Sequence, residues 1–186
     1  FDEKFFSEVK MFSNLRADLK RYIVNPKDRR NIYLIFEQGI WAIVAYRFGR
    51  WTYSFNIPLL SIILRFMAFL WFKLTEIVTG ISLPASAKIR KGLYVGHFGY
   101  IILHSQVEIG ENCSLGPGTI IGAKGLGAQG IPVLGDNVYV GTGAKILGGI
   151  HIGNNVRIGA NAVVLEDVPD NSTVVGIPAR IVKSKK

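Results

Sequence analysis

Val133-Leu-Gly-Asp-Asn-Val-Tyr-Val140-Gly-Thr-Gly-Ala-Lys-Ile146-Leu-Gly-Gly-Ile-His-Ile152-Gly-Asn-Asn-Val-Arg-Ile158-Gly-Ala-Asn-Ala-Val-Val164 carries an aliphatic residue at every sixth position from Leu134 to Val164, without a slip. The clock runs upstream as well, through Leu83, Ile89 and Val95, then Leu103, Ile109, Leu115 and Ile121. Glycine often follows the aliphatic, as at Gly110, Gly116, Gly141 and Gly159. A second apolar or small residue comes four positions after it, as at Val107, Cys113, Ala144 and Ala162. A period of six fits neither the 3.6 of a helix nor the alternation of a plain strand. It fits a parallel β-helix in which three hexapeptides form one triangular coil, and stacked coils bury an aliphatic column that no single repeat buries alone. Periodicity does not supply the hand of the coil.

The clock slips twice. Val95 to Leu103 is eight residues, which places a two-residue insertion around Gly96-His-Phe-Gly-Tyr100. Ile121 to Leu134 is thirteen, read as two repeats plus one residue, across a glycine-rich stretch ending at Pro132. Phase breaks in a regular array are where loops leave the stack and sites form. His97 lies in the first break, flanked by glycines. His104 and His151 each follow an inward aliphatic and read as solvated or packing side chains.

Composition divides the chain at Gly80. Ten of eleven Phe and all three Trp precede it, and eighteen of twenty-one Gly follow it. The front part, 1–80, reads as an α-helical, basic and aromatic region; 81–182 as the β-helix; 183–186 as a basic tail. Residues 14–22 have apolar residues every three or four positions and form a short amphipathic helix that stops before Pro26. Residues 29–55 give a second helical stretch. The apolar run 57–81 is broken by Arg65 and Lys73 into pieces of about eight residues, short of the roughly 18–20 that cross a bilayer. Ser61, Arg65, Lys73 and Glu76 share one narrow face of its helical wheel. The wide apolar face is either buried between subunits or laid into a membrane interface.

The formal charge is +9, with twelve Lys/Arg against seven Asp/Glu in 1–80 and ten against six in 81–186. A basic surface suits anionic lipid or a phosphate-rich cosubstrate. No nucleic-acid motif accompanies it, so nucleic acid is not expected as a partner. The lone Cys113 falls on an inward position, where a small core residue is expected rather than a nucleophile. A single cysteine points to a reducing, cytoplasmic compartment, with peripheral contact at the inner face of the cytoplasmic membrane through 57–80. No secretory signal is visible; because the sequence opens on Phe1 rather than Met, that carries no inference.

The hexapeptide run, the stretch Gly96-His-Phe-Gly-Tyr-Ile-Ile-Leu-His104, Gly141-Thr-Gly-Ala-Lys-Ile-Leu-Gly148, and the ending Val175-Gly-Ile-Pro-Ala-Arg-Ile-Val182 resemble the serine acetyltransferase family of acyltransferases over about 81–182. The resemblance implies a mainly β fold, a left-handed parallel β-helix with an N-terminal α-helical region. It also implies a homotrimer, or a dimer of trimers, and acetyl-CoA as cosubstrate with no metal. His97 matches the family's general base, with direct transfer to the acceptor. For acetyl-CoA, one coil of eighteen residues would stack Thr142 beneath Ala160, with Lys124 near the same line. Small residues with Gly143 would open a lane for pantetheine, and Lys124, Lys145 or Arg180 would meet the phosphates.

Two positions depart from the family. Its members carry an Asp just before the catalytic His, where this chain has Gly96. They carry Arg-His before a loop Pro, where this chain has Gly130-Ile131. An Ile cannot hydrogen-bond a carboxylate, and this pattern resembles the branch found in exopolysaccharide clusters, such as the colanic acid acetyltransferases. The expectation is therefore O-acetyl transfer to a hydroxyl of a polysaccharide or glycan precursor, with serine O-acetylation as the alternative. A γ-carbonic-anhydrase-like zinc lyase and a non-catalytic scaffold use the same coil. The lyase needs three converging histidines, which the spacing of His97, His104 and His151 does not match.

Overall fold

A computed structural model describes residues 11–23, 28–54, 58–125, 127 and 130–184. The back part winds as a three-sided prism whose faces are three separate parallel sheets. Face 1 stacks Ile81–Ser82, Ile101–Leu103, Ile120–Gly122, Lys145–Leu147 and Val163–Val164. Face 2 stacks Lys88–Ile89, Glu108–Ile109, Val133–Leu134 and His151–Ile152. Face 3 stacks Tyr94–Val95, Ser114–Leu115, Tyr139–Val140, Arg157–Ile158 and Ser172–Gly176, and closes with Ala179–Ser184 antiparallel to the last of these. Lys183 and Ser184, placed by sequence in the basic tail, thus end a strand. The six-residue aliphatics fill the interior: Ile109, Leu115, Ile121, Ile146, Ile152 and Ile158 are at most 2% exposed.

The residues four positions later are buried too, among them Val107, Cys113, Ala144, Val156 and Ala162, each fully enclosed. Burial pushes the Cys113 thiol up to about 11, so it is a protonated core group at neutral pH and no nucleophile.

Strand registers correct the second slip. Residues on neighbouring coils are eighteen apart below the loop, as in Tyr139 and Arg157, but twenty-five apart across it, as in Ser114 and Tyr139. Ile121 lies on face 1 and Leu134 on the very next face. The thirteen-residue gap is therefore one hexapeptide with a seven-residue loop, not two hexapeptides with one extra residue. The first slip is as expected: Ile81 pairs with Ile101, twenty residues on, because 96–100 bulges at a corner.

One corner is built from asparagines that the periodicity did not single out. Asn112, Asn137, Asn155 and Asn171 all have φ between 57° and 58°, a left-handed conformation that Asn tolerates better than other side-chain-bearing residues. Asn137 donates to Asn155 at 3.1 Å, and Asn155 to Asn171 at 3.0 Å. Their recurrence one or two residues before the later face-3 strands, where the first coil has Gly92, is the sequence signal.

Among the described residues ahead of the prism lie three helices and a 3-10 segment: α1 (Met11–Lys20), the 3-10 segment Arg29–Phe36, α2 (Gln38–Thr52) and α3 (Pro58–Thr79). The single stretch expected over 29–55 is thus broken at Glu37. The run 57–81 ends as a helix at Thr79, since Gly80, at φ 69°, turns the chain into the first strand.

The helices cap the open edge of the first coil, where unpaired strand groups would otherwise lie exposed. The Tyr46 hydroxyl donates to the Ala87 carbonyl at 2.9 Å and accepts the Ile89 N–H at 3.0 Å. The Tyr22 hydroxyl does the same for both backbone groups of Val95. Arg47 donates to the carbonyls of Ile89 and Arg90, each at 2.7 Å, and is paired with Asp18 at 2.8 Å. Asp18 in turn accepts the Leu93 N–H at 2.8 Å. Gly39 lets α2 approach this edge, because a Cβ there would strike the Val95 carbonyl and the Tyr22 hydroxyl.

α3 is turned the opposite way from an ordinary amphipathic helix. Its buried side chains are Ser61, Ala68, Thr75 and Thr79, while Leu59, Ile62, Phe66, Leu74 and Ile77 stand 60–81% exposed. The narrow polar face read from the wheel therefore divides. Ser61 packs inward, whereas Arg65 and Lys73 stay exposed, Lys73 paired with Glu76 at 2.6 Å.

Candidate active site

Each coil passes from face 3 to face 1 through one corner, and the corners stack into a column along the prism. His97 to Tyr100 form the first corner, Gly116 to Thr119 the second, Gly141 to Ala144 the third and Gly159 to Ala162 the fourth. Backbone contacts tie successive corners together. The Gly143 N–H donates to the Pro117 carbonyl and the Asn161 N–H to the Thr142 carbonyl, both at 2.8 Å. At the strand spacing of about 4.8 Å, three steps separate the His97 corner from the Ala160 corner by roughly 14 Å.

His97 is exposed and stands at the head of this column. Its φ is 62°, and among the described residues it is the one position with positive φ that is neither Gly nor Asn. Such a conformation costs roughly 1–2 kcal/mol for an ordinary side chain. The loop is held from beneath by α3: the Gly99 N–H donates to the Thr79 carbonyl at 3.3 Å, and the Ile101 N–H to the Gly80 carbonyl at 3.0 Å. Phe98 and Tyr100, in the same loop, are 66% and 56% exposed.

Thr142, Gly143 and Ala160 lie on the same column as His97. Thr142 and Ala160 are exposed, and Gly143, at φ 74°, lacks a Cβ that would run into the Asn161 side chain. Thr142, Gly143 and Ala160 carry nothing larger than a threonine side chain, so the outer surface at these positions has room for an extended chain. Lys145 reaches into the column from face 1, where its ammonium donates to the carbonyls of Gly143 at 2.6 Å and Gly118 at 3.1 Å.

Lys124 is not on that line. The seven-residue insertion breaks the eighteen-residue count, and the residue stacked over Thr142 is Pro117. Lys124 sits at the next corner, with its side chain against Gly148. Arg180 lies on the terminal strand, 3.6 Å from the Glu166 carboxylate, and both are largely exposed. The two basic residues therefore stand apart from each other, with Arg180 the one on the face that feeds the column.

The other histidines go elsewhere. His104 follows face 1, with its Nδ1 accepting the Gln106 N–H at 3.2 Å. His151 sits on face 2, its backbone N–H donating to Asp167 at 2.7 Å. His151 lines a cavity of about 390 Å³ with Lys88, Glu108 and Asp136, and a second of about 230 Å³ lies between α2, α3 and the first coil. Neither includes His97. Among the described residues no three His, Cys, Asp or Glu side chains converge on a metal position.

At the two departures, no polar side chain is on offer. Gly96 is buried, and Ile131 packs against the aliphatic core.

Residues 131–166 match the family model described as bacterial transferase hexapeptide (six repeats). Serine acetyltransferase from Synechococcus elongatus is 34% identical over 175 residues, covering 92% of this chain and 69% of the relative. The Helicobacter pylori strain J99 serine acetyltransferase is 34% identical over 172 residues, covering 91% and 96%. Among solved structures, serine acetyltransferase from Brucella abortus strain S19 in complex with coenzyme A superposes with a TM-score of 0.78. It is 27% identical and covers 97% of this chain and 70% of that one. Fold and corner column together define a left-handed β-helix acyltransferase that uses acetyl-CoA. The chain belongs to the serine acetyltransferase family.

Proposed function

We propose that this protein transfers the acetyl group of acetyl-CoA directly to a hydroxyl, with His97 as general base. The observation that carries the reading is His97 itself, an exposed residue at positive φ at the head of a corner column whose lower corners carry the small residues Thr142, Gly143 and Ala160. A neutral imidazole takes the hydroxyl proton as the acceptor oxygen attacks the thioester carbonyl carbon. The C–S bond then breaks, and the imidazolium returns its proton to the departing thiolate. No acyl-enzyme is involved: no Ser or Cys accompanies His97 in a nucleophile motif, and the lone Cys113 thiol is buried and held protonated. Thr142, Gly143 and Ala160 line the pantetheine lane, and Arg180 is the cation offered to phosphate.

Serine is the acceptor the relatives support best, since those compared above are serine acetyltransferases. This favours the alternative over the glycan hydroxyl expected from the departures. The glycan reading keeps one specific observation in its favour: Gly96 and Ile131 supply nothing to hold an ammonium or a carboxylate. The active unit is a trimer, in which a neighbouring chain closes the open side of the His97 corner.

A thiol-release assay with acetyl-CoA across serine, simple sugars and lipid-linked glycans tests the acceptor. Turnover with serine alone selects the first reading and turnover with sugars alone the second. His97→Ala is expected to lower turnover by about 10²–10⁴-fold while CoA binding persists. Near-normal turnover in that variant would remove the general-base role.

A further inference from the structure

The outward face of α3 has no counterpart in the acetyl-transfer site. Twelve large apolar side chains between Leu59 and Val78 are each 39–81% exposed, while the side turned to α2 is made of Ser61, Ala68, Thr75 and Thr79. Scattered exposed aliphatics are ordinary, but a continuous face along a 22-residue helix marks an interaction surface.

Charge decides what covers it. Among the described residues of the helical region, Arg16, Lys20, Arg29 and Arg65 are exposed; Arg21 is turned onto the Gly92 and Cys113 carbonyls, and Lys73 is paired with Glu76. No carboxylate there is exposed: Asp18 is buried against Arg47, Glu76 is half-buried against Lys73, and Asp28 and Glu37 are half-buried. A second copy seated on α3 would set Arg65 against like charge, with no exposed carboxylate among the described residues of the helical region to answer it. An anionic lipid surface satisfies both features at once, apolar side chains entering the acyl boundary and cations meeting headgroups. Arg65 is the exposed cation of α3 without a carboxylate beside it, its apolar stem along the helix and its guanidinium over the Tyr53 ring at 5.0 Å. No helix of the described residues is long and apolar enough to cross a membrane, so the geometry is that of a helix lying in the interface.

We propose that the exposed face of α3 docks the protein on an anionic lipid bilayer, independently of which acceptor hydroxyl the enzyme uses. The backbone bond from Gly99 to Thr79 joins the end of that helix to the His97 loop, so docking sets the catalytic corner at a defined position relative to the membrane.

The test is co-sedimentation of the full chain with phosphatidylcholine vesicles, with and without phosphatidylglycerol. Binding is expected to be at least about ten-fold stronger with phosphatidylglycerol and to fall about five-fold in Arg65→Gln. It should be lost in the double variant Phe66→Glu, Leu70→Glu, with thiol release on a soluble acceptor and the thermal midpoint retained. If the double variant does not fold, Phe66→Ser together with Arg65→Gln gives the same readouts more gently. The proposal is overturned if the wild type ignores both vesicles or binds them equally. It is also overturned if the double variant splits a solution assembly while vesicle binding is unchanged, which would assign the face to a second copy.

Discussion

At the scale of the residue, His97 pays for its position with backbone strain. An imidazole in the left-handed region is about 1–2 kcal/mol above a relaxed one, whereas Gly is at home there and Asn nearly so. His97→Gly is therefore expected to raise the thermal midpoint relative to His97→Ala, by the equivalent of about 1 kcal/mol, while both lower turnover by about 10²–10⁴-fold. Equal stabilities would mean that the loop relaxes when the imidazole is removed. The asparagine ladder makes the complementary case. Asn155→Ala loses its side-chain bonds to Asn137 and Asn171 and keeps a φ of 57°. It is expected to cost about 2 kcal/mol in denaturant unfolding, and Asn155→Gly less. Both features follow from one need, a sharp turn at each corner of a narrow prism.

At the scale of the element, the helices earn their place as an edge cap. Asp18 and Arg47 are 0% and 3% exposed, and removing one partner leaves the other charged and buried. Asp18→Ala is expected to cost about 3–5 kcal/mol, read as a lower urea midpoint, with the Leu93 N–H also orphaned. Tyr22 and Tyr46 add a pH dependence. Burial is the main cause holding both phenols above their ordinary value of 10.0. In the unfolded chain they ionise near that value, so their contribution is complete below it and is lost as pH rises beyond it. The thermal midpoint should hold up to about pH 10 and then fall, with a shallower fall in Tyr46→Phe. A midpoint that does not move between neutral pH and strongly alkaline solution would contradict this burial.

At the scale of the whole molecule, the corner column is the seam of the fold and, in the proposed mechanism, also the lane for the cosubstrate. Ala160 is exposed and lies at its lower end, so a bulky side chain there obstructs the lane without disturbing the core. Ala160→Trp is expected to raise the KM for acetyl-CoA about ten-fold or more while stability shifts by less than about 1 kcal/mol. An unchanged KM would move the pantetheine lane elsewhere. A trimer mass in sedimentation equilibrium is expected for the active protein, and a stable, active monomer would contradict completion of the His97 corner by a neighbour.

The hexapeptide period was enough to read the prism, its aliphatic column, the inward Cys113 and the phase break that holds His97, because each coil obeys the same local rule. Thr142 and Ala160 were also legible, since no insertion separates them and an eighteen-residue count carries from one coil to the next. Lys124 was not, because an inserted loop of seven residues makes sequence distance a false measure of stacking. The roles of Asp18, Tyr22, Tyr46 and Arg47 were hidden as well. Their partners are backbone groups at the edge of a coil forty to seventy-five residues away, and no periodicity records such a pairing. What the α3 face turns toward and away from was likewise decided by packing. A helical wheel shows which residues share a side, but only the neighbours of the helix determine which side is buried.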